Sequence, residues 1–473
     1  MKRIAIVGGG IAGVAAAYEL AWLRREGAAV EAVLFEASPR LGGIVETVRE
    51  AGFTIECGPD GWVTEKPWAR ELAEELGLGG ELLPSNDATR KTYLVTGSEL
   101  GRQLVAMPDG MRMMVPGDLD ALDRSPLFSA AAKIAYREEM TRAELLQQSA
   151  PEVDESVADF VRRHFGDEVL EKVGAPLLSG VFGGDVTKLS VRAVMAPFVK
   201  MEREHGSLIL ALQRRGIEPR TGSSATSGSI FTTLRNGLGT LIDAMVATIP
   251  TEWIRRSCPV KAIRRDQTGW NVQTAAGSQS FDGLMLAVPV DVSARLLRDT
   301  DERAAALMDM EASSAVVVGF GFDQEFSLPE GFGFLVPPAS TARSEAAGSS
   351  LLAATFVDQK FHNRVPQGSR LLRGFFGGAT ADSLLGATDV AIAALARQEL
   401  QTVLGALPEP IVTIVRRWPR ALPQYAVGHL ERMEELFGRV HGLGALWLLG
   451  NGYRGVGLPD LVRDARAASR AAV

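Results

Sequence analysis

The most restrictive feature of this chain lies in its first forty residues. A short β-branched run, Arg3 to Val7, ends in Gly8-x-Gly10-x-x-Gly13, and a stretch rich in Ala and Leu follows from Ile11 to Leu23. A second apolar run, Ala32 to Phe35, closes on Glu36. Strand, helix and strand in that order make one βαβ unit of about 35 residues, which commits the chain to a parallel sheet with crossover helices. Each glycine has a physical reason to be where it is. The first permits a tight turn, the second lets a pyrophosphate approach the backbone, and the third lets helix and strand pack closely. Ile11 and Ala12 then open the helix, whose unpaired N–H groups and partial positive charge suit phosphate. Glu36, 23 residues beyond Gly13, can accept a hydrogen bond from a ribose hydroxyl and would repel a 2′-phosphate, so NADP is disfavoured. A glycine turn with no ligand explains an isolated motif equally well; the strand, helix and acid in their correct places favour nucleotide binding.

A length of 473 residues leads to an expectation of two or three domains. Hydrophobic residues at 46% and charged residues at 23% exclude wholesale disorder and argue against an integral membrane protein. The net charge of -7 argues against nucleic acid as a principal partner, because phosphate binding needs concentrated Lys and Arg. Cys57 and Cys258 are too few for a disulfide framework and fit a reducing compartment. His164, His205, His362, His429 and His441 are scattered without metal-ligand spacing, so no metal is expected. No run of about 18 apolar residues occurs, which leaves only a peripheral route to a membrane.

Further along, Lys66 to Leu78 reads as helix, Tyr93 to Pro108 as extended segments, and Pro116 to Gln213 as mostly helical. WNVQT, FDGLMLAV, SAVVVGFGF, LLAATF, RLLRGFF and LWLLG read as strands, and Asp460 to Ala472 as a last helix. Thr221–Ser229 and Ala339–Ser350 are small, polar and unpatterned, which reads as loop. The expected architecture is α/β: a discontinuous, Rossmann-like nucleotide-binding domain of residues 1–90, 228–292 and 440–473, a helical subdomain over 91–213, and a mixed-sheet substrate domain over 293–439.

After Glu36 and Ala37, Arg40, Gly42 and Gly43 complete E-x-x-x-R-x-G-G, which resembles the glutathione-reductase-like and amine-oxidase-like flavoproteins. Longer stretches resemble the family of protoporphyrinogen and coproporphyrinogen oxidases within that group. They are FTIECGPDGW (53–62), SGVFGGDVTKLSVRAVMAPFVKMEREHGSLI (179–209), GFGFLVP (331–337), RWPRALPQYAVGHLERME (417–434) and LLGNGYRGVGLPDLV (448–462). The resemblance implies FAD as cofactor, contacted by Gly58, Pro59, Asp60, Gly61, Val260, Trp418, Val456, Gly457 and Leu458 in addition to the residues above. Many members carry Asn where this chain has Pro459, so no hydrogen bond is expected there. The resemblance also implies that Phe332, Gly333 and Leu335 meet a tetrapyrrole, with Phe375 a further pocket candidate. Arg90 and Lys91 align approximately with the family's propionate-binding basic position; a solvated charge pair on a strand edge is the competing explanation.

By the same resemblance the expected activity is FAD-dependent oxidation of protoporphyrinogen IX to protoporphyrin IX, with oxygen as electron acceptor. Coproporphyrinogen III oxidation is the alternative, and an amine oxidase or carotenoid-type desaturase a more distant one. A non-enzymatic escort protein would have no reason to keep the glycines and Glu36. Such an oxidation needs orientation and an apolar pocket and no side-chain nucleophile, so no catalytic residue is named. The cluster Met107, Met111, Met113 and Met114 with Val115, Leu119, Leu122 and Phe128 suits either subdomain packing or a greasy surface. The resemblance favours a cytoplasmic protein with peripheral membrane contact, and a homodimer is a further expectation.

Overall fold

β1 (Lys2–Val7) is buried continuously from Ile4 to Val7, without the alternation of a strand that faces water on one side. The reason is its place at the centre of a five-stranded sheet, flanked by β2 (Val30–Phe35) and by Gly283–Leu286. Ile254–Arg255 and Leu446–Leu448 complete the sheet at its two edges, and all four pairings are parallel. The helix α1 (Ile11–Arg25) connects β1 to β2 and buries every residue from Ile11 to Ala21. It is hidden on all sides, as its Ala-rich composition requires.

The computed structural model describes residues 1–97, 101–217, 229–267, 269–337 and 350–473. The loops expected over 221–229 and 339–350 lie, apart from Ser229 and Ser350, outside the described residues. The chain divides into two compact units, residues 1–85, 229–312 and 431–473 in the first and residues 86–228 and 313–430 in the second. Among the described residues the first unit carries the parallel sheet and three small antiparallel additions: the hairpin Thr47–Glu50/Phe53–Glu56, the three strands Trp62–Val63, Phe231–Leu234 and Leu82–Pro84, and the three strands Ala262–Arg265, Trp270–Thr274 and Gly277–Phe281. Helices Val290–Leu297 and Glu302–Leu307 also belong to it, packing Leu296, Leu297, Ala304 and Leu307 with Trp270, Val272 and Phe281.

The second unit combines the helical stretch with a seven-stranded mixed sheet. Its order is Val412–Pro423, Ala312–Phe322, Arg370–Gly377, Ala353–Phe356, Gly333–Leu335, Thr92–Thr96 and Gln103–Ala106. Gly333–Leu335 runs parallel to Thr92–Thr96 and antiparallel to Ala353–Phe356. One face packs Val95, Val316, Val318, Phe334, Ala354 and Phe376 against Ile392, Ala396 and Leu400 of helix Asp389–Leu404.

Local chemistry sets several boundaries. The helix expected over 66–78 spans Trp68–Glu75, because Pro67 stands at its start and Gly77, at φ +77°, follows its end. The methionine cluster is mainly packing: Met114, Val115, Leu122 and Phe128 are buried, and the Met114 carbonyl accepts from the buried Tyr136 hydroxyl at 3.0 Å. No described helix is long and apolar enough to cross a membrane.

Candidate cofactor and substrate sites

The C-terminal ends of the parallel strands collect the glycine loops of the first unit. Gly8 follows β1 at φ +106°, donates its N–H to Phe35 O at 2.8 Å, and lies so close to the next strand that a Cβ would come within 2.4 Å of Ala287 O. A Cβ on Gly13 would fall 1.8 Å from Gly8 O. These two glycines are therefore demanded by the protein's own packing. Gly10 differs: a Cβ there would meet nothing within 4 Å. The fold leaves open the very position where the spacing argument expects pyrophosphate.

The second glycine pair is locked against the first loop. Gly42 donates to Gly9 O at 2.7 Å, and a Cβ on Gly43 would approach Gly10 Cα to 3.1 Å. Arg40 holds this turn together, its guanidinium donating to the carbonyls of Leu41, Gly43 and Val45. These bonds, with the Glu46 carboxylate 3.6 Å away, shape the loop. Gly58 closes in from the following segment, where a Cβ would lie 1.9 Å from Ile44 O. Pro59, Asp60 and Gly61 continue this half-buried segment into the buried Trp62.

Glu36, at the end of β2, accepts from Gly9 N–H at 2.6 Å and Ser38 N–H at 2.7 Å, one bond to each carboxylate oxygen. Each oxygen retains capacity for a further donor such as a ribose hydroxyl. Ala37 is exposed beside it. The chain from Arg255 to Val260 runs along the same place: Glu36 N–H donates to Arg255 O at 2.9 Å and Cys258 N–H to Glu36 O at 2.8 Å. Val260 follows, half-buried. Gly9 and the 255–258 segment were not singled out from sequence; only the pairing of β2 with Ile254–Arg255 brings the latter there.

The last strand, Leu446–Leu448, hands on to a second helix start. Val456 and Gly457 lead into helix Leu458–Ala472, and Gly457 provides no side-chain cap, just as Gly10 provides none for α1. The start of α1 thus presents N–H donors suited to an anion, whereas the second helix start offers fewer, because Pro459 has no N–H and Asp460 N–H donates to Gly457 O at 3.0 Å. Trp418, by contrast, lies on the strand Val412–Pro423 of the second unit.

In the second unit, register decides which substrate candidates share a face. Directly paired residues on neighbouring strands point the same way. One row therefore runs Val105, Leu94, Leu335, Ala353, Phe375, Val317, and the adjacent row on that face runs Thr92, Gly333, Thr355, Arg373, Gly319. This face lies opposite Phe334 and Val318, which belong to the helix-packed core. Gly333, at φ +139°, leaves the face flat, since a Cβ would strike Ala354 O at 2.0 Å. Helix Ala175–Phe182 passes over it, with a Cβ on Gly180 reaching 3.3 Å from the Leu335 side chain.

Gly333, Leu335 and Phe375 are thereby brought together, whereas Phe332 and Lys91 are not part of these rows. Phe332 is buried one residue before the strand and donates to Lys91 O at 2.8 Å. Lys91 precedes Thr92, so strand alternation turns it away from Gly333, and its Nζ reaches the exposed Glu330 at 3.5 Å. Arg90 is exposed.

The two long stretches 179–209 and 417–434 meet in this unit. Gln424 Nε2 donates to Phe182 O at 2.7 Å, Ser190 N–H to Tyr425 O at 2.7 Å, and Val427 N–H to Lys188 O at 3.0 Å. A Cβ on Gly184 would overlap the Gln424 side chain. Below this junction sits a buried ionic cluster that the sequence did not announce. The His164 ring lies between Glu139 at 3.0 Å and Glu202 at 3.1 Å, and Arg163 binds both Glu202 and Glu155. Burial pushes the Glu202 carboxyl up, but hydrogen bonds from His164 and Arg163, together with their charge, outweigh it and hold it below its ordinary 4.5.

A parallel sheet whose first turn is glycine-rich, with an acid ending its second strand and a second glycine pair closing on that turn, defines a dinucleotide-binding protein of the flavoprotein type. Residues 11–472 match the family described as flavin containing amine oxidoreductase. The chain belongs to that family, and its cofactor is FAD. The coproporphyrinogen III oxidase of Bacillus subtilis is 30% identical over 476 residues, covering 99% of this chain and 97% of that protein. The chloroplastic protoporphyrinogen oxidase 1 of Arabidopsis thaliana is 29% identical over 486 residues, 97% of this chain and 86% of that one. A crystal structure from Exiguobacterium sp. 255-15, assigned provisionally as a protoporphyrinogen oxidase, superposes with a TM-score of 0.83 at 32% identity, covering 99% of this chain and 98% of the other. The open space at Gly10, the remaining acceptor capacity of Glu36 and the two uncapped helix starts fit FAD.

Proposed function

We propose that this protein oxidises a porphyrinogen to the corresponding porphyrin in heme biosynthesis. The observation that carries the reading is the end-to-end similarity to proteins named as porphyrinogen oxidases, combined with an intact FAD cradle. FAD, when bound, accepts two electrons with hydride from the substrate and passes them to oxygen.

The residues of the chain supply placement. Gly8, Gly10, Ile11, Ala12 and Gly13 receive the pyrophosphate at the start of α1, while Glu36 takes a ribose hydroxyl beside Ala37 and Val260. Arg40 keeps Gly42 and Gly43 against the first loop. The segment Gly58 to Gly61 and the stretch Val456 to Leu458 border the cofactor. Residues 1–90, 228–292 and 440–473 are read as the cofactor-binding part and 293–439 as the substrate-binding part. In the latter, Gly333, Leu335 and Phe375 offer a flat apolar surface to the macrocycle, with Phe332 at its border. Burying a planar, largely apolar ring system there excludes water from the carbon that loses hydride. The propionates are assigned to Arg90 and Lys91, since an unpaired carboxylate in an apolar cleft would be costly.

The finer assignment is protoporphyrinogen IX, with oxygen as acceptor. Coproporphyrinogen III is the second reading, and the name of the Bacillus subtilis relative favours it. Anaerobic mixing of the FAD-loaded protein with each porphyrinogen in parallel tests both. Rapid flavin bleaching by one, followed by porphyrin fluorescence when oxygen is admitted, identifies the substrate. Bleaching by neither overturns the proposal and leaves FAD binding standing.

A further inference from the structure

The two helices whose glycine-led starts are assigned to the cofactor are joined far behind those starts by an ionic cluster centred on the buried Glu19. Glu19, fully buried in α1, accepts from Arg466 Nε and from Arg470 Nε, each at 2.6 Å. Arg466 also donates to Glu75 Oε2 at 2.8 Å, and Tyr18 donates its hydroxyl to Glu75 Oε1 at 2.7 Å. Ser469 adds a bond to Ala16 O at 3.1 Å. All of these groups belong to the first unit. Burial and the Glu75 carboxylate hold the Tyr18 phenol above its ordinary range, so it stays a donor.

Both helices start at the same end of the sheet. α1 follows the last residue of β1, and the C-terminal helix follows Leu449, whose N–H donates to Leu286 O at the end of its strand. At the far end, Lys2, the first residue of β1, donates to Ala472 O at 3.2 Å and Val473 O at 3.1 Å. Ala12, Ala15, Ala16, Ala465 and Ala472 lie in the core that the two helices share, beside the larger Ile11, Val14, Leu461 and Val462. A slip of one residue along a helix displaces its end by about 1.5 Å. Phosphate binding at a helix start is sensitive to a displacement of that size. An ion cluster with one satisfactory geometry fixes the register of the two helices.

We infer that Glu19, Arg466 and Glu75 are positioning residues for FAD: they fix the C-terminal helix against α1 and so align the Gly10 and Gly457 helix starts. The cluster acts without touching the cofactor, since Glu19 lies nine residues, about 13 Å, along α1 from Gly10. This inference rests on the FAD assignment and not on the identity of the porphyrinogen.

The test is FAD binding by the apoprotein of Glu19→Gln, followed by quenching of flavin fluorescence, beside the apoprotein's thermal midpoint and the visible spectrum of the FAD-saturated protein. The expected result is an FAD dissociation constant raised about tenfold, mainly through faster release, with an unchanged flavin spectrum at saturation. Arg466→Lys, which keeps the charge but cannot hold Glu19 and Glu75 in one fork, should raise it by a similar factor, and it carries the test if Glu19→Gln does not fold. Pairing Glu19→Met with Arg466→Met should raise the constant less than the product of the two single effects. A lowered thermal midpoint with wild-type FAD affinity in these variants would overturn the inference, because it would reduce the cluster to general stabilisation. Multiplicative effects in the paired variant would overturn it equally.

Discussion

The two units of this protein present flat, glycine-bearing surfaces for opposite reasons. At the start of α1 the glycines fall into two kinds: Gly8 and Gly13 are required by neighbouring backbone, whereas Gly10 faces open space. In the mixed sheet, Gly333 is pressed against Ala354 O and has no room at all. An open glycine is kept for a ligand, and a closed one is kept for the chain. The difference separates effects on binding from effects on folding, and mutations can test it directly.

The sharpest test is Gly10→Val. Its Cβ enters empty space at a backbone φ of -67° that any residue adopts, so the apoprotein should fold with an unchanged melting temperature. FAD retention should fall by at least about a hundredfold, because the side chain occupies the approach to the pyrophosphate. Normal flavin content in the purified variant would break the distinction. Gly13→Val should instead fail to fold, as its Cβ would sit on Gly8 O.

The helical part of the second unit is built around a buried histidine held between two carboxylates. His164→Ala would leave Glu139 and Glu202 facing a cavity, at an expected cost of about 3–5 kcal/mol in unfolding free energy. The pH dependence follows from Glu202, whose carboxyl is held below 4.5 in the folded protein. Its contribution is present above the ordinary carboxylate range and is lost as pH falls through the folded value. Hydrogen exchange should therefore show helices Ala130–Thr141, Val157–Phe165 and Ala196–His205 losing protection on acidification before the five-stranded sheet does. Simultaneous loss in both places would count against a local role.

Gly333→Ala sharpens the comparison at its other pole. The positive φ and the contact at Ala354 O predict about 2–3 kcal/mol of destabilisation, read from denaturant unfolding. FAD affinity should remain near wild type. A variant that weakened FAD while keeping its stability would place Gly333 with the open glycines.

The same contrast explains what could be read before the structure was known. The glycine motif and Glu36 are legible because the signature lies within 36 consecutive residues, where strand, turn and helix are neighbours in sequence. The substrate face is assembled from residues 92–96, 333–335, 353–356 and 370–377, and no local pattern states which residue pairs with which. A one-residue slip would exchange Leu335 for Phe334. Resemblance supplied Phe332, Gly333 and Leu335 as a group, and register divided them. The ionic clusters around His164 and Glu19 escaped notice because isolated charged residues in amphipathic or Ala-rich helices look the same whether solvated or buried. The partners of His164 and Glu19 themselves lie 25 to 451 positions away.

The smallest expected effect concerns the residues on which resemblance and register disagree most. Arg90 is exposed and, among the described residues, Lys91 has a long pairing with the exposed Glu330, so replacing both with Ala should cost little stability. If they hold a propionate at the surface, the porphyrinogen KM should rise about fivefold, the effect of roughly 1 kcal/mol, with FAD affinity unchanged. The change should shrink at high salt, because an exposed ion pair is screened. Steady-state kinetics at two ionic strengths measures this. An unchanged KM would remove the propionate role from both residues and shift attention to the face that Thr92 shares with Gly333, where alternation already points away from Lys91.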